Sequence, residues 1–235
     1  MFVFISHGAI LAQSAPCPKA APIPPHTRSP LNTFHDLWST LFITVPTPEP
    51  CKPASNTMHG PVIDGITYPP NLGSPNGLGY YQMPDPQNGE YEFNGIACPA
   101  HRWGQKELIG VIYTVALQWK QKYPGSILNI GDLNAIGHKS HTIGRDVDIF
   151  TSDDSATDIN KSSYQKERAI ELGKMFFDTK LIVFIFFNDA DVREAVNSYA
   201  RQNNLPGEMQ SSEGHDNHFH VRLNLNPGPY SEPSC

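Results

Sequence analysis

The apolar positions of this chain change their spacing along its length, and the changes predict its elements. Leu108, Ile112, Val115 and Trp119 recur at helical intervals and predict a helix over residues 105–122, ended by Pro124-Gly125. Ala169, Leu172 and Phe176 mark one side of a second helix over 161–178, and 190–203 reads as a third. Strands are predicted over 126–133, 145–150, 181–187 and 218–223. In 145–150, Asp146 and Asp148 alternate with Val147 and Ile149, so both carboxylates share one face. The run 181–187 is wholly apolar, β-branched and aromatic, and reads as a buried strand. Over 218–223, His218, His220 and Arg222 alternate with Phe219, Val221 and Leu223. Strands and helices mix without a strict βαβ order. The expected fold class is therefore α+β: an antiparallel sheet with flanking helices.

The regular pattern begins only near Arg102. Residues 1–55 are Pro-rich without helical period and read as a Pro-rich N-terminal leader, with an apolar patch over 37–45 suited to docking on the domain. Residues 56–99 are rich in Gly, Pro, Asn and Tyr and read as loops, with 77–84 leading into the fold. The domain itself is expected over 56–235, with an irregular Pro-rich tail from Asn224.

Composition narrows the class. Hydrophobic residues are 39% and charged residues 17% of 235, a globular balance rather than a disordered one. Lys and Arg number 17 against 23 Asp and Glu, and no basic run occurs, which argues against a nucleic-acid partner. No apolar stretch reaches the length of a membrane-spanning helix. Residues 1–15 are apolar, and Ala12-Gln13-Ser14-Ala15 resembles a signal-peptidase site. His7 and Gly8 interrupt that run and no basic residue precedes it, so a degenerate secretion signal and an unstructured N-terminus fit equally. Cys17, Cys51, Cys98 and Cys235 are even in number and dispersed, without the close pairs of zinc-thiolate sites. Two disulfides in an oxidising compartment are expected, and sequence does not choose among the three pairings. Nor does it give the oligomeric state.

The candidate chemistry lies in two clusters. One runs from Gly137 to Asp148 and contains His138, His141, Asp146 and Asp148. The other, His215 to Val221, contains His215, His218 and His220. His218 and His220 are two apart on a predicted strand, so both imidazoles face one side. An isolated His-x-His carries little information, and Asp146 and Asp148 alone suit a solvated strand face. Together the clusters offer one nitrogen and one oxygen ligand across a Gly144 turn and another nitrogen from the second cluster. Three protein ligands with a fourth position open is the pattern of catalytic rather than structural zinc.

The paired motif S-H-x-x-G-x-D-x-D, Ser140 to Asp148, and H-x-x-H-x-H-V-R, His215 to Arg222, resembles the penicillin-insensitive murein endopeptidases. These belong to the wider lysostaphin-type, D-Ala-D-Ala and hedgehog-like zinc metallopeptidases. Gly131-Asp132, Ile185 to Asn188 and Ser74 to Pro84 resemble further family segments, so the likeness spans roughly Gly73 to Leu223. The resemblance implies zinc on His141, Asp148 and His220, with His218 and His215 as catalytic histidines: His218 as general base or transition-state stabiliser, His215 as an assisting hydrogen-bond partner. Asp146 is then expected to support a ligand histidine. No H-E-x-x-H is present, so histidine has to carry the proton work.

The activity so implied is metal-assisted hydrolysis of D-Ala–diaminopimelate cross-links in peptidoglycan, in a periplasmic or secreted protein. Two rival expectations are a D,D-carboxypeptidase or dipeptidase, which would need Arg145 or Arg222 in its pocket, and a zinc-bearing binding module without catalysis.

Overall fold

The computed structural model describes residues 59–94, 98–135 and 141–229. The expected leader, its apolar patch over 37–45, the signal-like segment, His7, His26, His35 and His138, and Cys17, Cys51 and Cys235 all lie outside them. The described residues belong to one unit, Thr57–Cys235. The fold is α+β, with helices packed on a largely antiparallel sheet.

In chain order the elements are β1 Val62–Ile63, β2 Ile66–Thr67, β3 Tyr81–Gln82, β4 Tyr91–Phe93, β5 Trp103–Gly104, α1 Lys106–Lys122, β6 Leu128–Ile130, β7 Asp146–Thr151, α2 Lys166–Asp178, β8 Ile182–Phe186, α3 Ala190–Gln202, β9 Glu208–Gln210 and β10 Phe219–Leu223. The main sheet has the order β4-β6-β7-β10-β8-β9. Its four central strands pair antiparallel, and its two edge pairs, β4 with β6 and β8 with β9, are parallel.

Four short strand pieces within 56–99, β1 to β4, were not anticipated as such. Asp64 and Gly65 both adopt positive φ, 50° and 82°, and close the tight β1–β2 hairpin. The fourth, β4, is only three residues long, too short for its alternation to stand out, yet it joins the main sheet beside β6. The strand β9 is missed for the same reason. The second helix begins at Lys166 rather than 161. Residues 161–165 form turns instead, where Gln165 N donates to Ser155 O and Tyr164 Oη donates to Asp189.

Helices α1, α2 and α3 share one core with a single face of the sheet. Leu108, Ile112, Val115 and Trp119 of α1, and Ala169, Leu172 and Phe176 of α2, are buried with Val147, Ile149, Phe219, Val221 and Leu223. The apolar run 181–187 is buried on one side only: Ile182, Ile185 and Phe187 enter the core, whereas Phe184 and Phe186 remain partly exposed. A register shift between Arg222 and Leu223 places Leu223 opposite Ile182 and Arg222 opposite Phe184. The run lacks polar positions because its second face is aromatic, not because both faces are buried. Among the described residues, no helix is long and apolar enough to cross a membrane.

Candidate metal centre

The site stands on the face of the sheet opposite the helices, and strand register assembles it. Antiparallel pairing sets His220 of β10 directly opposite Asp148 of β7 and, on its other side, Phe186 of β8. One step along, Arg222 lies between Asp146 and Phe184. Directly paired residues on one face hold their Cβ atoms about 5 Å apart. Two cross-strand rows, Asp148–His220–Phe186 and Asp146–Arg222–Phe184, follow from this register.

His141 comes from outside the sheet, on a single 3-10 turn that precedes β7. Gly144 ends that turn with φ +70°, and a Cβ there would lie 2.4 Å from the ring of Tyr80. Its carbonyl accepts from Gln105 N at 2.7 Å. The left-handed backbone and the approach of Tyr80 both require glycine, and together they fold His141 back over Asp148.

His141, Asp148 and His220 form a group that can hold a metal ion. Their donor atoms all lie within 4.8 Å of one another. His220 Nδ1 is 3.0 Å and His141 Nε2 3.4 Å from Asp148 Oδ1. Donors on a tetrahedral ion at about 2.0–2.1 Å stand roughly 3.3 Å apart, so these spacings suit a small divalent cation. Both histidines are buried. The electrostatics also favour a cation. Burial alone would discourage charge on His220, but its hydrogen bonds to Asp146 and Asp148, and their charges, prevail and raise its pKa to about 9. Burial likewise opposes the charge on Asp148, yet hydrogen bonds from His141 and His220 hold its carboxyl far below the usual range.

Asp146 stands behind this group. It is fully buried, and its Oδ1 lies 3.0 Å from His220 Nε2 while accepting from Arg222 Nε at 2.6 Å. A carboxylate on the far nitrogen of a ligating histidine fixes its ring and tautomer.

His218 and His215 are beside the group at the wall of an open groove of about 600 Å³. His218 Nε2 is 3.6 Å from Asp148 Oδ1, too long for a hydrogen bond, and its ring stacks on Phe150 at 5.3 Å. The ring of His215 is 4.9 Å from that of His218 and 5.7 Å from that of His220. His215 Nδ1 faces the carbonyls of Ser212 and Glu213 at 3.2 and 2.9 Å, so that nitrogen donates and Nε2 carries the lone pair of the neutral ring. Burial lowers the pKa of His218 to about 4; the neighbouring His215, His220 and His141 add to this, and Asp148 opposes it.

The five residues singled out in sequence are thus brought together, with Asp146 behind them. Several supporting residues were missed. Asn188 staples the His215 loop to the end of β8: its Oδ1 accepts from Ser211 and Ser212, its Nδ2 donates to Asp216, and its backbone N donates to His215 O. His101 lies 2.8 Å from Asp132 of the groove, and its carbonyl holds Leu133 N and Asn134 N. Phe150 and Phe186 were read as strand apolars, yet they line the groove. Of these, Phe186 and Asn188 carried a sequence signal, within the family-like Ile185 to Asn188 segment. Arg145 and Arg222 do not line the groove: Arg145 donates to Leu225 O, and Arg222 is held by Asp146 and the ring of Phe184. Cys98 is disulfide-bonded. Comparison with known proteins matches neither a family model nor a curated protein to this chain.

Proposed function

We propose that this chain is a zinc-dependent endopeptidase of the penicillin-insensitive murein endopeptidase type, hydrolysing D-Ala–diaminopimelate cross-links of peptidoglycan. The observation that carries the reading is the convergence of His141, Asp148 and His220, with His218 and His215 beside them, at an open groove that all of these but the buried His141 line. Two nitrogens and one carboxylate oxygen, with room on the groove side, match a catalytic zinc set better than a closed structural one.

Zinc on these three residues would polarise the scissile carbonyl and lower the pKa of water toward about 7. The rest falls to the chain itself. His218 is neutral near physiological pH, with its Nε2 toward Asp148, and takes the proton of the attacking water. His215, next to it, shares the proton or holds it for the leaving amine. Asp146 and Arg222 keep the His220 ring fixed throughout.

Export to the periplasm or medium accompanies this reading, since the substrate lies outside the cytoplasm. The disulfide at Cys98 supports an oxidising compartment. A carboxypeptidase would grip a terminal carboxylate with a cation. Among the described residues, none of those lining the groove is Lys or Arg, which favours the endopeptidase.

The test is digestion of purified sacculi with zinc-loaded protein, followed by mass spectrometry of the muropeptides. Cross-linked dimers should fall as monomers rise. Release of free D-Ala without loss of dimers would indicate the carboxypeptidase. No change of any muropeptide would reject the peptidase reading.

A further inference from the structure

Asn217 immediately precedes His218 in the loop that enters β10. Its Oδ1 lies 2.8 Å from His218 Nδ1. The residue before it is held at two points: Asp216 O accepts from Ile159 N at 2.9 Å, and its Oδ1 accepts from Asn188 Nδ2 at 2.8 Å. The ring it meets is also fixed, stacked on Phe150 at 5.3 Å. The Asn217 side chain is at the exposed rim, so it does little for packing.

A neutral imidazole has one N–H and one lone pair, and an amide oxygen can only accept. A proton on His218 Nδ1 satisfies Asn217 Oδ1 and leaves the Nε2 lone pair directed at the Asp148 side of the groove. In water the opposite tautomer, with the proton on Nε2, is the commoner form. That form would point an N–H at the reacting water and could accept no proton from it.

We infer that Asn217 is a positioning residue which selects the Nδ1–H tautomer of His218 and so keeps Nε2 as a proton acceptor in the groove. Its consequence for turnover rests on the peptidase reading, whereas the tautomer does not.

The experiment uses the full chain with zinc added, labelled with 15N in its histidines. Long-range 1H–15N correlation spectra distinguish the two tautomers of each ring. Wild type should show His218 with its proton on Nδ1. Asn217→Ala should shift it toward the Nε2–H form, and Asn217→Asp, which keeps an acceptor oxygen, should restore the wild-type pattern. On cross-linked muropeptides, Asn217→Ala should lose roughly tenfold in kcat with little change in KM, and Asn217→Asp should recover most of it. Wild-type His218 with its proton on Nε2, or an Asn217→Ala spectrum unchanged at His218, overturns the proposal. The expected tautomer shift in a protein with no cleavage at all would uphold Asn217 and count against the peptidase reading alone.

Discussion

Asp146 and His220 are diagonal neighbours across β7 and β10, and Asp146 Oδ1 meets His220 Nε2 at 3.0 Å while His220 Nδ1 faces Asp148 at the same distance. One histidine therefore bridges two carboxylates with different duties. Asp148 borders the groove and can donate to a metal, whereas Asp146 is sealed beneath, neutralised by Arg222. Asp146→Asn should weaken zinc by roughly 10- to 100-fold through loss of ring orientation. Asp148→Ala and His220→Ala should each remove a donor and leave zinc substoichiometric after gel filtration. Competition against a chromophoric chelator, with elemental analysis, measures all three. Loss of zinc in Asp146→Asn but not in Asp148→Ala would reverse their roles, and full zinc in His220→Ala would remove it from the ligand set.

The same bridging predicts how protein stripped of metal responds to pH. His220 has its pKa raised from 6.5 to about 9, so it binds more protons folded than unfolded between those values. Its stabilisation is complete below pH 6.5 and is lost as pH rises through about 9. His218 is shifted the other way, to about 4, so folding forces off a proton between pH 4 and 6.5 and stability falls there as pH drops. The stripped protein should be most stable near pH 6.5, with each limb declining by up to roughly 3 kcal/mol. Zinc held there would take the place of the His220 proton and should flatten the alkaline limb. Urea titrations from pH 5 to 9, with and without zinc, read this. An alkaline limb that is flat without metal would mean that His220 is not held as a cation.

The sequence disclosed the parts whose physics is local or periodic. Alternation alone put Asp146 with Asp148 and His218 with His220 on shared faces, and helical spacing located α1 and α3 to within a residue or two. What it could not disclose was register. Nothing in the chain says that His220 pairs with Asp148 rather than Asp146, yet that choice separates the residue at the groove from the one beneath it. The role of Phe184 and Phe186 was hidden for a related reason: an aromatic face that stacks on histidines reads like a buried one. The Asn188 staple joins one loop to the end of β8, and the Asn217 contact links two adjacent residues; neither leaves a periodic trace.

Gly144 offers a test of how His141 is delivered. Gly144→Ala would impose a left-handed backbone on alanine and drive its Cβ to 2.4 Å from Tyr80. Gly79→Ala imposes the same backbone strain, φ +83°, with nothing within 4 Å. Gly79→Ala should cost about 1 kcal/mol, and Gly144→Ala roughly 2–4 kcal/mol together with weaker zinc binding, because its turn carries His141. Thermal unfolding and chelator competition on both variants decide. Equal costs with unchanged zinc affinity would show that the Tyr80 contact yields easily and that His141 does not depend on this turn.

On the proposed reading, His218 is the residue whose substitution should separate metal binding from catalysis. It precedes β10 by one residue, keeps its ring on the face of His220, and stands 3.6 Å from Asp148, close to the metal group but outside it. The ring stacks on Phe150 and borders the groove, so cutting it back to alanine opens space toward solvent rather than a cavity in the core. His218→Ala should therefore retain zinc and fold while losing cross-link cleavage by on the order of a hundredfold or more, as expected when a positioned base is removed. His215→Ala should lose less, since its own Nδ1 is tied to the 212–213 carbonyls. Single-turnover kinetics on purified cross-linked muropeptides, with zinc content measured on the same samples, would rank the two. Near-normal turnover in zinc-replete His218→Ala would assign the proton transfer to His215, whose ring lies beside the same group.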